Sequence, residues 1–203
     1  MSQLTMIEQL CASRQHALLT VHVDCFGTPN GVYLPTDPAA LYLKRLSDAV
    51  RDGDSVRGVI RSSATNNNGK SPAVGITYPG FDGQRNVMAH TYNRSGLDPM
   101  LTGYFECHGT GTAIGDPLEV HAVSDVMNAK RTEIDGPLYV GAVKTNIGHS
   151  EATSGLSAVI KVILIAERNT ITSTFGLTYP NPKIDWKGWR VNVPTKSTPI
   201  PEH

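Results

Sequence analysis

The chain has 203 residues, with 18 Lys plus Arg against 18 Asp plus Glu, so its formal charge is zero and it lacks the electrostatic footprint of a nucleic-acid or anionic-membrane binder. That length fits one domain, or one and a half. Three cysteines, Cys11, Cys25 and Cys107, without metal-ligand spacing exclude a zinc site and a disulfide scaffold, so neither metal nor cofactor is expected. The longest apolar stretch, Ala158 to Ala166, is broken by Lys161 and falls far short of the ~20 residues a bilayer needs. The expectation is a soluble protein of the reducing cytoplasm. Nineteen Gly and 13 Pro point to many sharp turns rather than a helical bundle.

In chain order, residues 3 to 13 place Leu4, Ile7, Leu10 and Cys11 on one helical face, and Thr20 to Val23 alternates as a short strand does. Residues 28 to 37, with Pro29, Gly31 and Pro35, form a loop. Ala39 to Gly53 admits two readings: Asp37-Pro38 resembles a helix start, whereas Leu41-Tyr42-Leu43 fits a buried strand. Val56 to Ser62 predicts a strand, Ala64 to Pro79 a long polar loop, and Gly83 to Ser95 a helix closed by Gly96. A regular alternation follows. Gly103 to Cys107 is a strand, His108 to Gly115 a glycine-rich loop and Asp116 to Lys130 a helix. Leu138 to Val143 is a second strand, Lys144 to Ser150 a loop and Glu151 to Asn169 a long helix, with Thr170 to Thr174 fitting a third strand. Strands separated by such helices predict an α/β fold, a largely parallel or mixed sheet layered with helices.

Both glycine-rich loops follow a strand and precede a helix, which puts them at the carboxyl ends of strands, where open α/β sheets place their ligands. One runs from His108 to Thr112 and the other from Lys144 to His149, so two imidazoles and an ammonium converge on one side. His149 stands just before a helix, whose positive end favours a neutral ring as donor or base. Each histidine alone could merely tie down its loop; two on matching loops point to a site. Asp116-Pro117-Leu118-Glu119 reads first as a capping box, with Glu119 alternatively neutralising Lys144. Lys161 reads as a snorkelling surface residue. Cys107 and His108, adjacent on a strand, face opposite ways, which argues against a Cys/His dyad. The loops lack the spacing of a P-loop or dinucleotide fingerprint.

His108-Gly-Thr-Gly-Thr112, Gly115-Asp-Pro-Leu-Glu119 and Lys144-Thr-Asn-Ile-Gly-His149-Ser-Glu-Ala152 together closely resemble the ketosynthase domain of polyketide synthases, especially fungal ones. Leu43 to Asp54, Ser95 to Pro99 and Tyr179 to Asp185 support the resemblance, which covers Pro29 to about Pro199. It implies the thiolase fold, of which this chain resembles most of the second half: residues 29–203 as a truncated ketosynthase-like domain, after an unmatched segment 1–28. It also implies that His108 and His149 promote decarboxylation of malonyl extender units and stabilise the enolate, that Lys144 organises them, and that Thr110, Thr112, Asp116, Glu119 and Asn146 support the site.

The family's nucleophile is a cysteine in a TACSSS-type elbow upstream, and nothing here matches it; Cys25 aligns elsewhere, the loop at residues 29 to 37 is altered, and the family's closing GFGGTN loop is not found. Condensation through an acyl-cysteine is therefore not expected. Three readings follow, in this order. The first is an enzyme that uses His108 and His149 as acid and base on a polyketide thioester, free or carrier-bound, releasing it by cyclisation such as α-pyrone lactonisation. The second is a non-catalytic helper that docks on a polyketide synthase or carrier protein. The third is an inactive remnant of a condensing ketosynthase, against which the Met1 start, the unmatched first 25 residues and the altered loop at residues 29 to 37 argue for a chain with its own history. A chain of one half should leave apolar faces open, so a homodimer is expected.

Overall fold

A computed structural model describes residues 39–68 and 78–201, together with the backbone of Leu18–His22. The helix expected at 3–13, the loop at 28–37, the boundary at 28/29 and part of the polar loop at 64–79 lie outside the described residues.

Strand β1 (Leu18–His22) pairs antiparallel with β2 (Ala40–Lys44). The ambiguous stretch from Ala39 thus holds both elements, because helix α1 (Leu46–Asp52) follows at once and ends on Gly53 in the left-handed conformation, φ 72°. Val56 to Ser62 is not the expected strand: only Val59 makes an isolated bridge. The segment lies along a helix instead. Ile60 packs against Val159 and Ile163, and Arg57 holds the Glu167 carboxylate with one contact of 2.6 Å.

Helix α2 (Phe81–Ser95), closed by Gly96 at φ 69°, precedes the central sheet. That sheet consists of β3 (Tyr104–Glu106), β4 (Leu138–Gly141) and β6 (Val191–Asn192), in the order β3-β4-β6 with both pairs parallel. Helix α3 (Gly115–Met127) joins β3 to β4; the one-turn helix α4 (Lys144–Ile147) and the long helix α5 (Ser154–Arg168) follow β4. Strand β5 (Thr170–Ile171) pairs antiparallel with β7 (Thr198–Pro199), so parallel and antiparallel pairs coexist among the described strands.

Strand alternation sorts the two faces of the sheet. Phe105, Cys107, Leu138 and Val140 pack with Met88, Tyr92, Val120, Val123 and Met127 into the main core beneath α2 and α3. Tyr104 and Glu106 face the other way, toward α5, where Lys161 places its ammonium 2.9 Å from Glu106 Oε2. With side chains only 10% and 7% exposed, this pair is internal, so Lys161 is not the surface residue its sequence context predicts. An ammonium can sit inside an apolar helix face when a carboxylate waits there.

Candidate active site

Because β3 and β4 are adjacent and parallel, the segments leaving their carboxyl ends emerge side by side. Cys107 N–H still donates to Gly141 O at 2.7 Å, and the chain then turns into the loop that begins with His108. That turn needs Gly109, which has φ 48°; a Cβ there would stand 2.5 Å from the Cβ of Ala142. This close approach brings the His108 loop against the Lys144 segment. Gly111, also left-handed at φ 78°, faces open space.

Two carboxylates of α3 hold the loop. Glu119, buried in the second turn, accepts the N–H groups of His108 (2.6 Å) and Gly109 (3.0 Å). Asp116 Oδ1 accepts those of Gly111 (3.1 Å) and Thr112 (3.2 Å). Asp116 is therefore no helix N-cap; the Ile114 position caps without a side-chain bond, and Thr112 Oγ1 accepts Gly115 N–H at 3.0 Å. The capping-box reading fails because the orphan amides nearest these carboxylates belong to the glycine loop rather than to α3's first turn. Glu119 likewise spends both oxygens on amides and reaches Lys144 through its charge, not by a direct ion pair. Thr110 is exposed on the loop. Asn146 donates to Ser173 O at 3.1 Å and ties α4 to the segment beyond β5.

The other segment turns at Gly148 (φ 79°) and presents His149, whose Nδ1 accepts Glu151 N–H at 2.9 Å. Glu151 itself has φ 41°, a left-handed conformation unusual for glutamate, which tightens the turn enough for its amide to reach back. The two imidazoles meet edge to face, ring centroids 5.9 Å apart at 88°. Lys144 Nζ stands 3.5 Å from His108 Nδ1. The structure thus brings His108, Lys144 and His149 together at one sheet edge, with Thr112, Asp116, Glu119 and Asn146 shaping the segments that carry them.

The partners assign the tautomers. An ammonium and a backbone amide can only donate, so each Nδ1 facing them is an acceptor, and in each neutral ring the proton is on Nε2. Two Nε2–H donors are left for a ligand. Burial, the Lys144 ammonium and the neighbouring His149 together lower the pKa of His108 below the usual 6.5. Burial lowers that of Lys144, against the charges of Glu119 and Glu106. Burial raises the carboxyl of Glu119, partly offset by the Gly109 and His108 amides. Cys107 lies in the main core, its thiol pushed up by burial and by Glu119, which leaves it no role as a nucleophile. Among the described residues no cluster of three His, Cys, Asp or Glu is arranged to hold a metal ion, and no helix is long and apolar enough to cross a membrane.

Sequence reasoning passed over Glu106. The signal was available: a carboxylate between Phe105 and Cys107 in a strand faces away from their core and needs a cation, and Lys161 stands alone in an apolar helix. If Lys144 organises His108, Lys144→Met should lower activity and melting temperature together, because Glu119 and Glu106 lose a compensating charge. A solvated lysine would change stability by no more than about 0.5 kcal/mol, and a thermal melt beside an assay separates the two outcomes.

Residues 57–178 match the family model of the beta-ketoacyl synthase C-terminal domain, more than half of the chain. The chain is 80% identical over 174 residues to the reducing polyketide synthase DEP5 of Alternaria brassicicola, a match covering 86% of this chain and 7% of that protein. It is 75% identical over 174 residues to DEP5 of Fusarium langsethiae, again spanning 7% of the relative. Among solved structures it is similar to ketosynthase twelve of the bacillaene polyketide synthase in Bacillus amyloliquefaciens, with a TM-score of 0.73 and 35% identity over 79% of this chain and 28% of that one. The ketosynthase from module 6 of the bacillaene synthase of Bacillus subtilis 168 gives a TM-score of 0.74 at 36% identity, over 80% of this chain and 28% of that one. The fold is therefore thiolase-like, and the chain spans only a small part of the proteins it matches.

Proposed function

The chain belongs to the beta-ketoacyl synthase family, through that family's C-terminal domain, and from this membership we propose that it acts in polyketide biosynthesis on a thioester-bound polyketide, releasing it by cyclisation. One observation carries the reading: both imidazoles turn Nδ1 to a fixed donor, so two Nε2–H groups are free to grip a thioester oxygen. Donors held in place before reaction stabilise a developing oxyanion. They offer a substitute for the oxyanion-hole amides that the sequence does not match.

In a lactonisation, the enol oxygen of a 3,5-diketo thioester attacks its own thioester carbonyl. The C–O bond forms, the carbonyl oxygen becomes an oxyanion held by the two Nε2–H groups, and collapse breaks the C–S bond. His108 gives its Nε2 proton to the departing thiolate while Lys144 replaces it at Nδ1. Once the thiol has left, Lys144 takes back the Nδ1 proton and water, which has taken the enol proton, returns it to Nε2, so the starting tautomer is restored. The products are an α-pyrone and the free thiol, with no acyl-cysteine and no oxidant. The lowered pKa of Lys144 suits an ammonium that gives up a proton and recovers it.

The test is incubation with a carrier-bound diketo thioester, with pyrone and freed carrier thiol read by mass spectrometry. Release above the protein-free rate supports the reading, and release at that rate overturns it. The pH dependence has a definite sign. The relay needs Nδ1 of His108 as an acceptor facing the Lys144 ammonium, and His108 titrates below 6.5, so the rate should be flat through neutrality and fall only on the acid side. Unfolded histidine takes up its proton first as pH falls through about 6.5, so His108 also withdraws stability below that point. An acid limb centred above 6.5 would contradict this assignment.

A second reading, a part that docks on a synthase, is favoured by exposed apolar side chains: Leu43, Ile134, Phe175 and Tyr179 are all open to solvent. For the chain alone, we expect a homodimer that covers some of these side chains. Light scattering at micromolar concentration should then give about twice 21.9 kDa, and a monomer with no dye-binding apolar patch removes this expectation.

A further inference from the structure

Glu106 and Lys161 touch none of the site's reactive atoms, yet they join the segments that carry them. Both Glu106 oxygens are engaged: Oε1 accepts the N–H of Val143, while Oε2 accepts the Tyr104 hydroxyl at 2.5 Å and the Lys161 ammonium at 2.9 Å. Burial and the Glu106 charge keep the Tyr104 phenol protonated, so it stays a donor. Lys161 also lies 5.5 Å from the Tyr104 ring centroid. Along the chain, Glu106 stands two residues before His108, and Val143 directly precedes Lys144. Lys161 belongs to α5, the helix that follows His149. One carboxylate therefore fastens the His108 strand, the Lys144 turn and the His149 helix at a single point inside the protein.

We propose that Glu106 and Lys161 are positioning residues, an internal charged clasp that sets the separation and angle of the His108 and His149 rings. This rests on reading His108, Lys144 and His149 as a working site. A buried ion pair is seldom worth more to stability than apolar residues of equal size. What it supplies here is direction: the carboxylate aims one oxygen at the Val143 amide and the other at α5, which fixes the start of the Lys144 turn relative to the helix behind His149. Apolar packing would hold the same segments together without choosing that geometry.

The experiment compares the full chain with Glu106→Gln/Lys161→Met, a neutral and nearly isosteric pair, and with Lys161→Arg, which keeps the charge. Imidazole nitrogen and proton NMR reads the tautomers and environments of His108 and His149, a thermal melt reads the fold, and steady-state release reads kcat and KM. The double variant should melt as a folded protein, shift both ring signals and lose about 10²-fold in kcat with KM little changed, as expected for a displacement of about 1 Å. Lys161→Arg should bring the signals back toward the parent. Ring signals that superpose on the parent's in the folded double variant overturn the proposal. Should that variant not fold, Glu106→Asp keeps the charge but falls one methylene short of the Val143 amide; unmoved rings there overturn it equally. If the parent chain releases no pyrone, shifted rings still uphold the clasp while the functional reading falls.

Discussion

Replacing His108 by alanine is expected to slow polyketide release by about 10²–10³-fold, the usual loss when one oxyanion donor is removed. His108 as a residue is exposed, so the melting temperature should change little. The more telling variant is His108→Gln, whose amide N–H can stand near the position of Nε2–H but has no basic nitrogen. If the ring acts mainly as a donor, glutamine keeps much more activity than alanine. If it acts mainly as a base, the two variants are equally poor. Unchanged turnover in His108→Ala removes the residue from the mechanism altogether. His149, whose Nδ1 is fixed by the Glu151 amide, should follow the same order of variants.

Gly109→Ala should be the most damaging single-methyl change in the site. At φ 48° an L-residue costs about 1–2 kcal/mol. Its Cβ would also stand 2.5 Å from that of Ala142, and relieving such overlap costs typically 1–3 kcal/mol more. The two together predict a fall in melting temperature of roughly 10 °C, with loss of the His108 to Lys144 approach. Gly111→Ala is the built-in control. It shares the left-handed backbone, φ 78°, but faces open space, so only the conformational cost applies. Equal melting temperatures for the two variants would show that contact with Ala142 does not hold the loops together.

The site's reactive residues were legible because they are punctuated by glycine. His108 and His149 each sit beside a glycine with positive φ, Gly109 and Gly148; His108 lies between β3 and α3, and His149 between the one-turn helix α4 that leaves β4 and helix α5. Periodicity and turn chemistry place such residues at the carboxyl edge of a parallel sheet without any knowledge of packing. Local signals failed where a polar side chain had two possible partners at different sequence distances. Asp116 and Glu119 carry the local pattern of a capping box, but the nearest unsatisfied amides belong to a loop folded back over α3.

From the sequence alone follow the α/β class, the alternation of strand and helix from Tyr104 to Arg168 and the convergence of two histidine segments, because those properties depend on period and on backbone freedom. Only the tertiary structure decided the rest. Val56 to Ser62 had strand character but forms only the isolated bridge at Val59, and it runs along α5 through Ile60. Lys161 had the pattern of a surface lysine, and a carboxylate 55 positions earlier in the chain drew it inside; strand alternation marks Glu106 as needing a cation but does not say which one. The tautomers assigned to His108 and His149 follow from which donor the fold sets against each Nδ1. Pairings between residues far apart in sequence depend on how the sheet and its helices stack, and a pattern read over a few residues carries no record of that stacking.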